Sequence, residues 1–201
     1  DLNSKLEVWR TMADKSRLTD WAIDRSDDGA TLIRTTHLLG DDAVRFTTHY
    51  YITGTNGVRV EVHFTPLKST LPFLPRLGMR FTAAEQLDRI QWLGKGPQES
   101  YADRQSAALV GRYQGMIADQ YYGYARPQES GNKVDLRWLA IDNSRGGTGL
   151  LIVGDQRWSG GAMPYTTEDL DHIVGKQKHS IDISPRKTAD VHIDMRQMGL
   201  G

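Results

Sequence analysis

An all-β, antiparallel fold is what this sequence of 201 residues predicts, and three observations carry the prediction. Apolar and polar residues alternate with period two along most of the chain, as half-buried strands require. Gly, Pro and Asn punctuate the alternating runs at short intervals, supplying the φ values that turns need. Helical spacing of apolar residues is confined to two short stretches. Strands at this density over a chain of this length argue for a sandwich or barrel, not an α/β fold, and the length suits a single domain over residues 1–201.

Residues 1–15 open the chain with Leu2, Leu6 and Trp9 at spacings of three and four, which predicts an amphipathic helix. Residues 31–37 and 44–52 are rich in β-branched and aromatic side chains and read as strands. The Asn56-Gly57 pair suits a hairpin turn, after which Val58-Arg59-Val60-Glu61-Val62-His63-Phe64 alternates cleanly. Pro66, Pro72 and Pro75 deny backbone donors over residues 65–77 and predict an irregular crossing. Further strands are expected over residues 79–84, 88–93, 134–141, 148–153, 180–183 and 191–195. Residues 167–173 predict a short helix capped by Thr166 or Thr167, with acidic residues in its first turn. Gly146-Gly147 and Gly160-Gly161 read as turns or close strand approaches.

Composition excludes several functions. With 25 basic and 25 acidic residues the formal charge is zero, so there is no electrostatic footprint for nucleic acid or an anionic membrane. Mean hydropathy is −0.53, yet five Trp and eight Tyr provide for a packed core. The absence of cysteine removes disulfides, thiolate nucleophiles and Cys-ligated zinc, which suits the cytoplasm and the periplasm equally. No apolar run approaches the roughly 20 residues that span a bilayer. No initiator Met or signal-peptide pattern is present, so Asp1 reads as internal to a longer chain.

The densest chemistry lies in Trp92-Leu93-Gly94-Lys95-Gly96-Pro97-Gln98-Glu99-Ser100-Tyr101-Ala102-Asp103-Arg104. Glu99 and Asp103 are open to two readings. As a carboxylate pair they match the acid and nucleophile of glycoside hydrolysis; as structural groups, Asp103 and Arg104 satisfy backbone polar groups and pin a turn. His37, His49, His63, His172, His179 and His192 present no metal-ligand spacing, although His49 and His63 flank the hairpin and share a face if the register allows, and no metal ligand is assigned. Trp138, Trp158, Tyr121, Tyr122 and Tyr124 offer ring faces to a sugar or, alternatively, fill the core or an interface.

The segment from Trp92 to Arg104 resembles the W-x-G-x-G-P-x-E-x-Y-x-D-R signature of the small-chain region of bacterial β-galactosidases, the C-terminal domain of large glycoside hydrolases. Tyr165-Thr166-Thr167-Glu168-Asp169-Leu170 is similar to that family's S-x-Y-T-x-x-x-L segment, and Asp194-Met195-Arg196-Gln197-Met198-Gly199-Leu200-Gly201 to its D-x-x-x-M-G-x-G segment. Residues 121–131 resemble Y-x-x-Y-x-x-P-x-E-x-G, and Leu6-Glu7-Val8-Trp9-Arg10 extends the likeness toward the start.

The resemblance implies a two-layer antiparallel supersandwich of the galactose mutarotase type. It further implies a piece of a multidomain enzyme acting on terminal β-galactosides. The family's D-N-D-x-G segment would lie ahead of Asp1 and its G-D-[DN]-S-W segment after Gly201, which places Asp1, Asn3, Ser4 and Gly201 at the edge of the substrate cleft. Catalytic carboxylates would stand on a preceding (β/α)₈ barrel, so no residue here inherits their role, and Trp92, Gly96, Pro97, Glu99, Tyr101, Asp103 and Arg104 are expected to be structural. Mg and Na, which the family uses, would bind outside this region, leaving no cofactor here. The implied partners are the other domains, the galactoside and further copies of the parent. Two alternatives stay open: an aldose 1-epimerase built on the same fold, and a carbohydrate-binding or structural module.

Overall fold

The computed structural model describes residues 2–27, 29–54, 57–171 and 179–199, with Leu2 and Asn3 described by backbone alone. Among the described residues ten strands, all paired antiparallel, form two sheets, and the two α-helices are short. The all-β antiparallel expectation is met. No helix among the described residues is long and apolar enough to cross a membrane. The chain divides into two compact units, residues 1–74 and 75–201.

The first unit begins with helix α1 (Leu2–Arg10) and continues as a four-stranded meander of β1 (Arg17–Arg25), β2 (Thr31–Leu39), β3 (Val44–Thr53) and β4 (Gly57–Pro66). The α1 helix stops at Arg10, short of the expected Lys15, because Asp14 and Ser16 favour turns and the Ser16 N–H bonds the Ala13 carbonyl at 3.0 Å. The expected hairpin forms in register, Ile52 opposite Val58 and Thr53 opposite Gly57; Asn56, on which the turn prediction rests, lies outside the described residues. Met12, Ala43 and Val44 make a small core against Trp9, Leu39, Phe64 and Leu71. The proline-rich stretch closes on it where the Trp9 indole donates to the Phe73 carbonyl at 3.0 Å.

The second unit is a six-stranded sheet. Its strands are β5 (Arg76–Ala83), β6 (Arg89–Gly96), β7 (Leu109–Met116), β8 (Lys133–Asp142), β9 (Gly149–Met163) and β10 (Ala189–Gln197), in the spatial order β5-β10-β9-β8-β6-β7. Burial alternates residue by residue along β6, as period two demands. Ile90, Trp92, Leu136, Leu139, Ile141, Trp158 and Val191 form the main core. The α2 helix (Thr167–Leu170) is capped as expected: the Thr166 hydroxyl accepts from Asp169 N–H and the Asp169 carboxylate from Thr166 N–H.

The strand expected at residues 180–183 is instead a single 3₁₀ turn, Ser180–Asp182, where the Asp182 carboxylate accepts the His179 N–H at 2.7 Å and satisfies the backbone locally in place of a ladder. Two strands have no counterpart in the sequence expectations. In β1, Asp20 and Asp24 flank the apolar Trp21-Ala22-Ile23, and a register shift after Leu18 interrupts the alternation. In β7, Gly111 and Gly115 dilute the pattern, and among the described residues β6 alone pairs with it.

Candidate functional site

The Trp92 to Arg104 segment runs off the end of β6 and closes into a tight loop. Tyr101 and Arg104 exchange both backbone hydrogen bonds at 3.0 Å, leaving Ala102 and Asp103 at the tip. The Gly96-Pro97 peptide is cis. Gly96 is required by space, since a Cβ there would lie 2.7 Å from the Tyr113 ring and 3.1 Å from that of Trp92. Trp92 is buried beneath this turn and donates its indole N–H to the Lys95 carbonyl at 3.0 Å. Ser100 is fully buried and stitched to the start of β8: its N–H donates to the Asn132 carbonyl and its carbonyl accepts from Asn132 Nδ2, both at 2.8 Å, while its hydroxyl accepts from Val134 N–H at 3.1 Å.

Glu99 is the hub of the loop. Its Oε1 accepts from Arg104 Nη2 and from the Tyr124 hydroxyl, and its Oε2 accepts the Gly131 N–H at 2.8 Å. Both carboxylate oxygens are thus engaged by three donors. Asp103 faces a different element: a Cβ at Gly199, whose φ is +97°, would collide with the Asp103 carboxylate. Only glycine fits a buried backbone at that φ and that approach. Tyr101 is buried, with the Arg104 guanidinium 5.2 Å from its ring centroid, and burial pushes its phenol well above the ordinary range.

Two cations, the part-buried Arg76 and the buried Lys133, hold the segments around this loop. Arg76 bonds Glu129 at 3.3 Å and pairs with Asp194 at 2.8 Å. Burial pulls the Arg76 guanidinium down, and Glu129 and Asp194 more than offset this. Burial pushes the Asp194 carboxyl up, against the pull of Arg76. Lys133, 2% exposed, donates Nζ to the Gly131 carbonyl at 3.0 Å and lies over Trp92. Burial pulls its ammonium down to about 8 although the nearby Glu99 favours the charge. Arg76, Glu129, Gly131 and His192 are among the residues lining a cavity of about 10 Å³, the size of one water molecule.

A family model described as beta galactosidase small chain matches residues 1–201. The chain belongs to the β-galactosidase small-chain family. It is 34% identical over 144 residues to the beta-galactosidase of Priestia megaterium, covering 72% of this chain and 13% of that protein. Against that of Pseudoalteromonas haloplanktis it is 34% identical over 150 residues, 74% of this chain and 13% of the relative. Against that of Lactobacillus delbrueckii subsp. bulgaricus it is 28% identical over 202 residues, 98% of this chain and 19% of the relative. The chain thus spans less than a fifth of the length of these relatives.

Segments that resemble small-chain motifs converge in the second unit. Glu99 joins the signature loop to Tyr124 and Gly131, and Asp103 meets Gly199. Arg76 ties Glu129 to Asp194, and the Tyr121 ring lies 4.6 Å from that of Tyr165. Glu99 and Asp103 are therefore engaged separately, each with its own neighbours.

Of the aromatic candidates, Trp158 belongs to the core and Trp138 lies beneath Arg112, while Tyr122 is 62% exposed. Ser4 lies on α1, and Asp1 and Gly201 fall outside the described residues, as does the side chain of Asn3. Arg76 and Lys133 escaped the sequence reading, because a basic residue at a strand start is ordinarily solvated and nothing local marks it as withdrawn from water.

Proposed function

We propose that this chain is a non-catalytic domain of a β-galactosidase, a retaining glycoside hydrolase of terminal β-D-galactosides, and that it shapes one wall of a cleft completed by other domains. The catalytic carboxylates stand on a (β/α)₈ barrel, the parent assembles as a homo-oligomer, and Asp1, Asn3, Ser4 and Gly201 lie toward the substrate. The observation that carries this reading is Glu99. A catalytic carboxylate keeps an oxygen free for the glycosidic oxygen or the anomeric carbon, whereas Glu99 spends both on Arg104, Tyr124 and Gly131 within a loop that resembles the family signature. The small-chain match over residues 1–201 supports the assignment to the parent.

Purified from a host lacking its own β-galactosidase, the chain is expected to leave nitrophenyl β-galactoside intact and to show unchanged tryptophan fluorescence at millimolar galactose. Turnover would overturn the non-catalytic role. Faster relaxation of freshly dissolved α-galactose in a polarimeter would replace this reading by an epimerase. Sequencing outward through the gene tests the parent independently, the expected result being a barrel-coding region upstream.

A further inference from the structure

Strands β3 and β4 of the first unit carry a second group of side chains that the proposed function does not use. His49 and Glu61 are directly paired across the two strands, and His63 follows Glu61 by two residues, so period two sets all three on one sheet face. One ligand atom from each lies within 4.8 Å of the other two. The imidazole centroids of His49 and His63 are 5.5 Å apart, and His49 Nδ1 is 3.9 Å from Glu61 Oε2, too far for a hydrogen bond.

We propose that His49, Glu61 and His63 bind a divalent transition-metal ion of the zinc class. Two imidazoles and a carboxylate form a borderline donor set that suits zinc, cobalt or nickel, whereas magnesium and calcium require oxygen ligands. Around a tetrahedral ion with bonds of 2.0–2.2 Å the donors stand roughly 3.3–3.6 Å apart. Closing the present spacing of up to 4.8 Å to that value takes a shift of about 1 Å or slightly more per donor pair.

The surroundings already orient the ligands. The Tyr51 hydroxyl donates to Glu61 Oε2 at 3.1 Å and its ring meets His49 edge-on at 6.3 Å, the kind of outer contact that fixes metal ligands. Arg34, opposite His49 on β2, is neutralised by Asp24 at 2.5 Å. Arg59, which bonds Glu61 Oε1, is 73% exposed and free to swing into solvent when a cation arrives. Three protein ligands leave a coordination position for water, and the ion would cross-link the hairpin strands.

Calorimetric titration of the whole chain with Zn²⁺ is the test. The expected result is saturable binding of one equivalent, undisturbed by excess Mg²⁺ and by His179→Gln, and weakened at least about tenfold by His49→Gln, by His63→Gln and by Glu61→Gln. Imidazole resonances of the unsubstituted protein provide a second readout: only those of His49 and His63 should shift at one equivalent. Absence of saturable binding, competition by Mg²⁺, an affinity in the His49 and His63 variants equal to that of the unsubstituted protein, or shifts confined to other histidines would each overturn the proposal.

Discussion

The Lys133 ammonium lies 4.9 Å from the centroid of the Trp92 ring, beneath the loop that resembles the family signature. A ring face attracts a cation, but it replaces lost hydration only in part. Burial accordingly pulls this lysine down to about 8 from an ordinary 10.5. A buried amine whose folded value is depressed lowers stability wherever it is charged, fully so below about pH 8. Between about pH 8 and 10.5 the unfolded chain holds the proton that the folded chain has released, so stability rises with pH, in total by on the order of 3 kcal/mol. Chemical denaturation across that range should show the rise, and Lys133→Met should abolish it.

Glu99→Ala should cost about 3 kcal/mol, because it strands the Gly131 N–H and the Tyr124 hydroxyl together with the Arg104 guanidinium. Glu99→Gln should recover part of the loss, since the amide keeps one acceptor oxygen. Urea unfolding of both variants measures the difference.

Replacing Arg76 by Met should destabilise by about 3–5 kcal/mol, since it leaves Glu129 and the 3%-exposed Asp194 carboxylate without their cation. Adding Glu129→Gln and Asp194→Asn to that variant should restore most of the loss. A triple variant no more stable than Arg76→Met would show that the cation acts by packing alone.

At Gly199, substitution by Ala incurs two separable penalties: a left-handed φ of +97° and a collision with the Asp103 carboxylate. Together they should cost about 2 kcal/mol or more. Asp103→Gly in the same chain should relieve the collision and leave the backbone strain, so a double-mutant cycle on thermal unfolding should show a favourable coupling.

Asp169 contributes to the acid limb. The Arg186 hydrogen bond holds its carboxyl down at about 2, against the effect of burial. A depressed carboxylate stabilises above its unfolded value of 3.8 and loses that contribution as pH falls through about 2. Asp169→Asn should therefore flatten the stability profile between about pH 4 and 2 and cost about 1–2 kcal/mol at neutral pH.

Period-two patterning made most strands legible, because alternation is a local consequence of pleating: the hairpin of β3 and β4 and the strands β6, β8 and β10 stand where the residues indicate. The Thr166 cap and the crossing rich in proline were equally local. Strand β1 and the glycine-diluted β7 were not, and residues 180–182 turned where β propensity alone suggested a strand, because the Asp182 carboxylate caps the His179 N–H and satisfies the backbone locally.

The sequence by itself determined the all-β class, the zero net charge, the absence of thiol chemistry and the family, since these rest on composition, period and motif. Tertiary structure alone decided what the charged residues do. Glu99 and Asp103 are four positions apart yet answer to different elements, Lys133 is buried against Trp92, Arg76 joins Glu129 to Asp194, and His49 meets Glu61 and His63. A charge's role depends on which distant groups surround it and how much water they exclude, and both are set by strand register and packing across tens of residues.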